Sequence, residues 1–566
     1  MTRKGPTLIG LSMCMRSPGD PLPQRPPTLL LLAILLVALG LRLRGFGESM
    51  WLDELFTSSY FCGHPLVLAR TLYTDIHPPA YFVFIHFWIR VFGDGEIWLR
   101  LPPLLSGLAS LWLIFQLGKR YRDEATGWVA AALLALSPVH IWYSAEARPY
   151  ATNIFLLLLT VYAFVRRRED ERARWTVLFA CGLLGLVFTH YYTAAFLVVF
   201  PALAVLGRAP RLRGLLKVSA AIGLLLATYL GAKMYFSDVP TGRPYLRGLD
   251  AIELWNLCFD WFLTGKCFTP LLAEEPAGRW LLPLLQVLAV GAFGAGTWRL
   301  LRSREQRGYE LVVVFAVLPL CLFGMNLLGM SNTYIERSAL PALPFFLLVL
   351  ASGLCGWQHL RTRQFALGVA GLASVLVLCF SAIHERDWTV YKPNPKWREV
   401  TSFLGDEIAR SAAPEDSPGP LQMYTSASPL PMSYYDPRIQ EVKHLQRNEG
   451  KVAHLLNTTQ RIFGDEGALG SWVQSTLNKQ LDELDQIAED TRLRVRVEVR
   501  STNGASPLSL PAESAPSRFW LLQQFSGTPK DNLILNSPRT VALAKHDFAE
   551  LTLWQLELRP HPLVQR

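Results

Sequence analysis

Charge is scarce in this chain. Of its 566 residues, 18% are charged and 51% hydrophobic, with a mean hydropathy of +0.23; a soluble domain carries roughly 25% charged residues. The shortage is uneven. Apolar runs of about 15 to 20 residues recur between residues 28 and 383, each long enough, or nearly so, for a helix to cross a hydrocarbon core about 30 Å thick. Such runs are missing after residue 383. A single soluble globular domain is excluded, and two regions are expected: a helical membrane bundle over 28–383 and a water-soluble module over 384–566.

Cysteine is sparse as well. Cys14, Cys181, Cys321, Cys355 and Cys379 are scattered, mostly within apolar runs, and none has the spacing of a metal motif. Cys62 has no evident partner. Cys258 and Cys267 share one loop, where a disulfide is open to them if that loop faces an oxidising compartment. The net charge of +10 is not a nucleic-acid signature, because the basic residues lie in short clusters between apolar runs and no basic stretch is interleaved with aromatics. Residues 1–27 are Pro-rich and basic. No small-residue cleavage site follows the first apolar run, which therefore reads as an uncleaved helix.

Eleven spans are predicted: 28–44, 100–118, 126–143, 150–165, 175–191, 194–207, 214–232, 281–298, 310–328, 338–357 and 366–383. Their connections alternate. One set carries Lys119 to Arg122, Arg166 to Arg174, Arg208 to Lys217, Arg299 to Arg307, then Arg361 and Arg363; the short loops of the other set hold only Arg148 and Arg337. Lys and Arg remain in the cytoplasm. The N-terminal tail 1–27 is thus expected inside, and loops 45–99 and 233–280 and the C-terminal module outside. The segment 78–92 is aromatic but short, and counting it as a span would destroy the alternation. It reads as a helix lying in the outer interface.

The outer loops carry the chemistry-bearing residues. Asp53 and Glu54 follow the first span, flanked by Trp51 and Phe56. A carboxylate near lipid is costly unless it faces a cavity or partner, and a partly desolvated one is a stronger base; an acidic pair opening a helix is the plainer alternative. His77, before Pro78-Pro79, is open to phosphate, metal or a structural role. Glu146 and Arg148 occupy a short turn held at headgroup depth by Trp142, Tyr143 and Tyr150, pointing either to water or across the bundle mouth. Arg337 opens a span, where it opposes the helix dipole. Either a phosphate or a carboxylate such as Glu336 would answer it. In loop 233–280, Trp255 and Trp261 with Asp238, Asp250, Asp260, Arg243 and Arg247 suit a sugar site and an interfacial helix equally.

Taken in order, Trp51-Leu52-Asp53-Glu54, His77-Pro78-Pro79, Arg100-Leu101-Pro102, Tyr143-Ser144-Ala145-Glu146-Ala147-Arg148-Pro149-Tyr150 and Arg337-Ser338-Ala339-Leu340-Pro341 resemble the bacterial branch of the dolichyl-phosphate-mannose protein mannosyltransferase family. The resemblance covers roughly residues 28–400, and Lys396-Trp397-Arg398 resembles the segment that opens the outer domain of such proteins. It implies a GT-C architecture, here a polytopic α-helical membrane protein with a C-terminal extracytoplasmic α/β domain, in the cell (inner) membrane. It implies inverting transfer from a polyprenyl-phosphate sugar donor, with Asp53 as catalytic base beside Glu54. His77, Tyr143, Glu146, Arg148, Tyr150 and Arg337 are then substrate-binding residues. The acceptor (glycan, lipid or protein) is open, and so is use of a divalent metal. Ala145 departs from the family, where many relatives have Gln. A transporter, or a non-catalytic membrane protein presenting an outer binding domain, is the competing reading. Transporter charges, however, gather at the midplane of repeated halves, whereas these gather at one face.

Overall fold

The computed structural model describes residues 27–51, 53–55, 57, 68, 77–207, 210–236, 247–266, 276–302, 307–330, 333–356, 360–383, 396–411, 422–425, 435, 498–501, 518–524, 540–548 and 551–558. Helices dominate through Ile383. They are α1 (Pro27–Leu43), α2 (Ala80–Phe92), α3 (Glu96–Tyr121), α4 (Glu124–Leu136), α5 (Pro138–Ser144), α6 (Tyr150–Glu169), α7 (Ala173–Val187), α8 (Phe196–Leu206), α9 (Arg213–Phe236), α10 (Ala251–Asn256), α11 (Pro276–Arg302), α12 (Tyr309–Leu327), α13 (Leu343–Leu354) and α14 (Leu360–Ile383). Every predicted span coincides with one of these or with an adjacent pair. Among the described residues, six helices are long and apolar enough to cross a membrane, or seven if a bent pair counts as one span; four further apolar helices are shorter.

The bent pair corrects one expectation. The predicted span 126–143 is two helices, α4 and α5, meeting at 64°. Ser137 stands in extended backbone and caps α5 by accepting from the His140 amide, and Pro138 takes the first turn, where its missing N–H costs nothing. The predicted span 338–357 likewise starts as a 3-10 helix, Glu336–Ala342, before α13. The short segment at 78–92 is α2, 13 residues long, or about 20 Å, too short to cross. One face of α2 buries Tyr81, Phe82 and Ile85 against Met50, Leu55, Leu99 and Ala147, while Phe84, Phe87 and Val91 are exposed.

The bundle has two chemically different ends. At one, the basic connections meet: Tyr121 and Arg168 both bind the buried Glu310 carboxylate, at 2.7 and 2.6 Å, Arg211 pairs with Glu171 at 2.7 Å, and Arg307 donates to the Gly207 carbonyl at 2.9 Å. At the other end lie the first loop, the α5–α6 turn and the segment before α13.

Beyond the bundle, α15 (Trp397–Ser411) precedes a five-stranded sheet of β1 (Gln422–Thr425), β2 (Glu498–Ser501), β3 (Arg518–Gln524), β4 (Thr540–Phe548) and β5 (Leu551–Leu558). The order is β2-β1-β3-β5-β4; β2, β1 and β3 run parallel, and β5 is antiparallel to both β3 and β4. The Cys258–Cys267 pairing falls outside the described residues because Cys267 does.

Candidate active site

The first loop is held by one arginine. Arg100, in the first turns of α3, is 1% exposed. Its Nη1 donates to the carbonyls of Gly45, Phe46 and Glu48 at 3.1, 3.2 and 2.8 Å, and its Nη2 to that of Ser49 at 3.4 Å. Its Nε and Nη2 form a fork with Glu54 at 2.9 and 2.7 Å. Glu54 Oε1 also accepts the Ala147 amide at 2.8 Å, and Oε2 the Trp51 amide at 3.3 Å. Both carboxylate oxygens are therefore occupied, and the Glu54–Arg100 pair ties the first loop to the α5–α6 turn. The small residue at 145 belongs to this packing: a Cβ on Gly45 would stand 3.2 Å from that of Ala145.

Its neighbour Asp53 points elsewhere. Its Oδ2 accepts from Arg337 Nη1 at 3.2 Å, and both side chains keep access to solvent, at 21% and 24%. Glu336 does not compete for that arginine. It accepts from Lys266 at 2.6 Å and Arg247 at 2.9 Å, and an isolated bridge between Arg247 and Tyr334 joins the two segments. The second long loop thus braces the segment that presents Arg337. Within that loop, Asp250 caps α10 and Asp260 accepts from Thr264 Oγ1, whereas Trp261 reaches the site, its ring 6.2 Å from that of Tyr143. Asp238 and Arg243 fall outside the described residues.

Arg148 is 3% exposed. It donates to the Asp53 carbonyl at 3.1 Å and to Thr57 Oγ1 at 3.5 Å, and its Nη2 lies 3.0 Å from His77 Nε2. Guanidinium can only donate, so His77 accepts at Nε2 and carries its proton on Nδ1. Among the described residues Arg148 forms no ion pair, and its Nε has no partner. A buried cation without a counter-charge is costly. The arginines at 148 and 337 both lie over the Tyr150 ring, at 5.9 and 5.6 Å, so one aromatic fixes the gap between two positive groups. Tyr150 in turn packs edge-on against Tyr143 at 4.9 Å.

Glu146, 4% exposed, accepts the Trp142 indole N–H at 3.0 Å through Oε2, and its Oε1 has no partner among the described residues. Burial pushes its carboxyl up to about 8, helped by the negative charges of Glu54 and Asp53. Tyr81 Oη and Trp51 Nε1 are likewise buried without partners among the described residues. All eight residues proposed from the sequence thus gather at one mouth: Asp53, Glu54, His77, Tyr143, Glu146, Arg148, Tyr150 and Arg337. Among the described residues, no group of three or more His, Cys, Asp or Glu side chains is arranged to hold a metal ion.

Sequence reasoning missed two supports. Arg100 stood only as a letter of a motif. Arg42, fully buried, donates to the carbonyls of Ala38 and Ala135 at 2.9 and 3.2 Å and lies 2.6 Å from His140 Nδ1. It clamps α1 to the α4–α5 break that aims the Glu146 turn.

Residues 76–232 match the family described as dolichyl-phosphate-mannose-protein mannosyltransferase. A putative mannosyltransferase, YycA of Bacillus subtilis, is 24% identical over 191 residues, which is 32% of this chain and 28% of that protein. The crystal structure of ArnT from Cupriavidus metallidurans in the apo state superposes with a TM-score of 0.51 at 11% identity, covering 93% of this chain and 98% of that one. The same protein bound to undecaprenyl phosphate gives 0.50 at 12% identity, with 93% and 97% covered. The chain is a polytopic membrane protein of the GT-C fold, similar to the dolichyl-phosphate-mannose-protein mannosyltransferases.

Proposed function

We propose that the protein transfers a sugar from a polyprenyl-phosphate carrier to an acceptor hydroxyl, with inversion, at the non-cytoplasmic face of the cell membrane. Asp53 takes the acceptor proton as the new C–O bond forms and the bond to the phosphate oxygen breaks. The departing lipid phosphate needs no proton, but its negative charge must be met by cations in place beforehand. Arg148 and Arg337 meet it, held apart by Tyr150, and guanidinium matches phosphate oxygens bidentately. Glu54 acts at one remove, keeping the first loop on Arg100. Glu146, Tyr81 and Trp51 offer hydrogen-bonding atoms to the sugar.

The observation that carries this reading is the buried Arg148, which has no carboxylate partner among the described residues and stands beside the Asp53–Arg337 pair. Such a cluster is one positive charge in excess where a phosphate would sit. Two further facts support it: the ArnT neighbour is seen with undecaprenyl phosphate, and an apolar groove of about 380 Å³ between α1 and α3, lined by Leu35, Leu36, Leu39, Leu108, Ala109 and Trp112, has room for part of an isoprenoid chain. The sidedness rests on the Lys and Arg of the opposite end.

Asp53→Asn tests the proposal. Purified protein is given a panel of polyprenyl-phosphate sugars and release of the lipid phosphate is followed. Loss of the base lowers kcat by about 10²–10⁴-fold, with the unfolding temperature unchanged. Turnover that survives the substitution would sink the assignment.

A further inference from the structure

We infer that Tyr435 and Arg398, in the chain that follows the bundle, are positioning residues for the loop that carries Asp53; the inference rests on the reading of Asp53 as the base. Between the 3-10 turn Arg44–Gly47 and Asp53, the backbone at Glu48 to Trp51 is neither helix nor strand. Its placement therefore falls to side chains that bind it. Arg100 takes its carbonyls from the bundle side. From the other side, the amide of the fully buried Met50 donates to Tyr435 Oη at 2.7 Å across 385 positions of sequence. Tyr435 Oη donates onward to Glu96 Oε1, and Arg398 pairs with Glu96 Oε2. Arg398 also donates through its backbone amide to Ser49 Oγ and through Nη1 to the Gly47 carbonyl, both at 3.3 Å, while its guanidinium lies 5.7 Å over the Tyr435 ring.

Glu96 makes this arrangement more than a surface contact. It opens α3 four residues before Arg100, so one rigid helix end carries both the arginine that holds the loop's carbonyls and the carboxylate that docks the later chain. The phenol of Tyr435 binds α3 and the Met50 amide at once. Met50 lies three residues before Asp53, on the non-helical stretch that decides where the carboxylate stands. Displacement of a catalytic group by about 1 Å is enough to cost up to 10²-fold in rate.

Tyr435→Phe is the decisive variant, because it keeps the ring under Arg398 and removes only the hydroxyl. Two measurements are made on full-length protein in liposomes: amide hydrogen exchange of the peptide spanning 47–55, and steady-state transfer. The expected result is faster exchange in that peptide together with a drop in kcat of about tenfold, while the donor KM and the unfolding temperature hold. Arg398→Ala is expected to do the same. Unchanged exchange in both variants overturns the latch, whatever happens to the rate, and faster exchange with wild-type kcat overturns its positioning role. If exchange quickens but Asp53→Asn still transfers sugar, the latch stands and the assignment of the base fails.

Discussion

Asp53 and Glu146 belong to one mouth but have opposite neighbours. Asp53 has a guanidinium at 3.2 Å and an open side; Glu146 has an indole N–H, burial, and two nearby carboxylates. The second setting favours the neutral acid, and the consequence for stability has a definite sign. A carboxyl raised to about 8 in the folded protein, from an ordinary 4.5, keeps its proton where the unfolded chain has lost it. Between those values the folded state binds more protons, so stability falls as pH rises through the window and levels off above it. Glu146→Gln is neutral at every pH and removes this slope. Its unfolding temperature in detergent is expected to match wild type near pH 4.5 and to exceed it near pH 8; parallel curves would show that Glu146 ionises normally. Asp53, Glu146, Arg148 and Arg337 were legible in the sequence because each is a charge where hydropathy alone would not place one. Arg42 and His140 were not. An arginine ending an apolar run reads as a topology signal, and a partner 98 positions away leaves no local pattern.

Helix positions were legible from apolar run length, but helix contacts were not, since run length says nothing about which faces meet. The α4–α5 break depended on reading Ser137-Pro138 as a cap followed by a first turn, within a run whose hydropathy is uninterrupted. The contact between α11 and α13 is another case. A Cβ on Gly353 of α13 would fall 1.8 Å from the Ala292 carbonyl oxygen of α11, and one on Gly296 would fall 1.9 Å from the Val349 oxygen. Two backbones touch there, with no flexible side chain to give way. Gly353→Ala must part the helices at the C-terminal turn of α13, the end away from Arg337. A loss of at least about 1–3 kcal/mol is expected, read as a lower unfolding temperature. Gly294→Ala, on the same α11 but with nothing within 4 Å of its Cβ, is the control. There alanine only gains helix propensity, so stability should hold or rise by up to about 1 kcal/mol. Equal losses at both positions would mean that backbone contact is not what ties α11 to α13.

At the scale of the whole molecule, the alternation of connections rich and poor in Lys and Arg anticipated the gathering of basic connections at one end. The tail was harder to read. In the sequence Leu421–Tyr424, Phe519–Gln523 and Leu551–Leu558 read as strands, and they overlap β1, β3 and β5. β4 was missed, since its pairing with β5 shifts register between Ala542 and Ala544 and breaks the period of two on which strand reading depends; β2, only four residues from Glu498 to Ser501, was missed as well. The two-ended bundle carries a prediction about sidedness. Asp94 lies in the exposed turn between α2 and α3, beside the Glu96 that docks Arg398, at the end that holds Asp53. Glu169 ends α6 among Arg120 and Arg166, at the basic end. Basic ends stay in the cytoplasm, so a cysteine placed by Asp94→Cys should react with a membrane-impermeant maleimide in intact cells, and one placed by Glu169→Cys only after permeabilisation. The parent protein, with its own cysteines, sets the background. The reverse pattern would put the site in the cytoplasm, where a donor presented at the outer leaflet could not reach Asp53, and transfer would then have to draw on a carrier whose sugar faces inward.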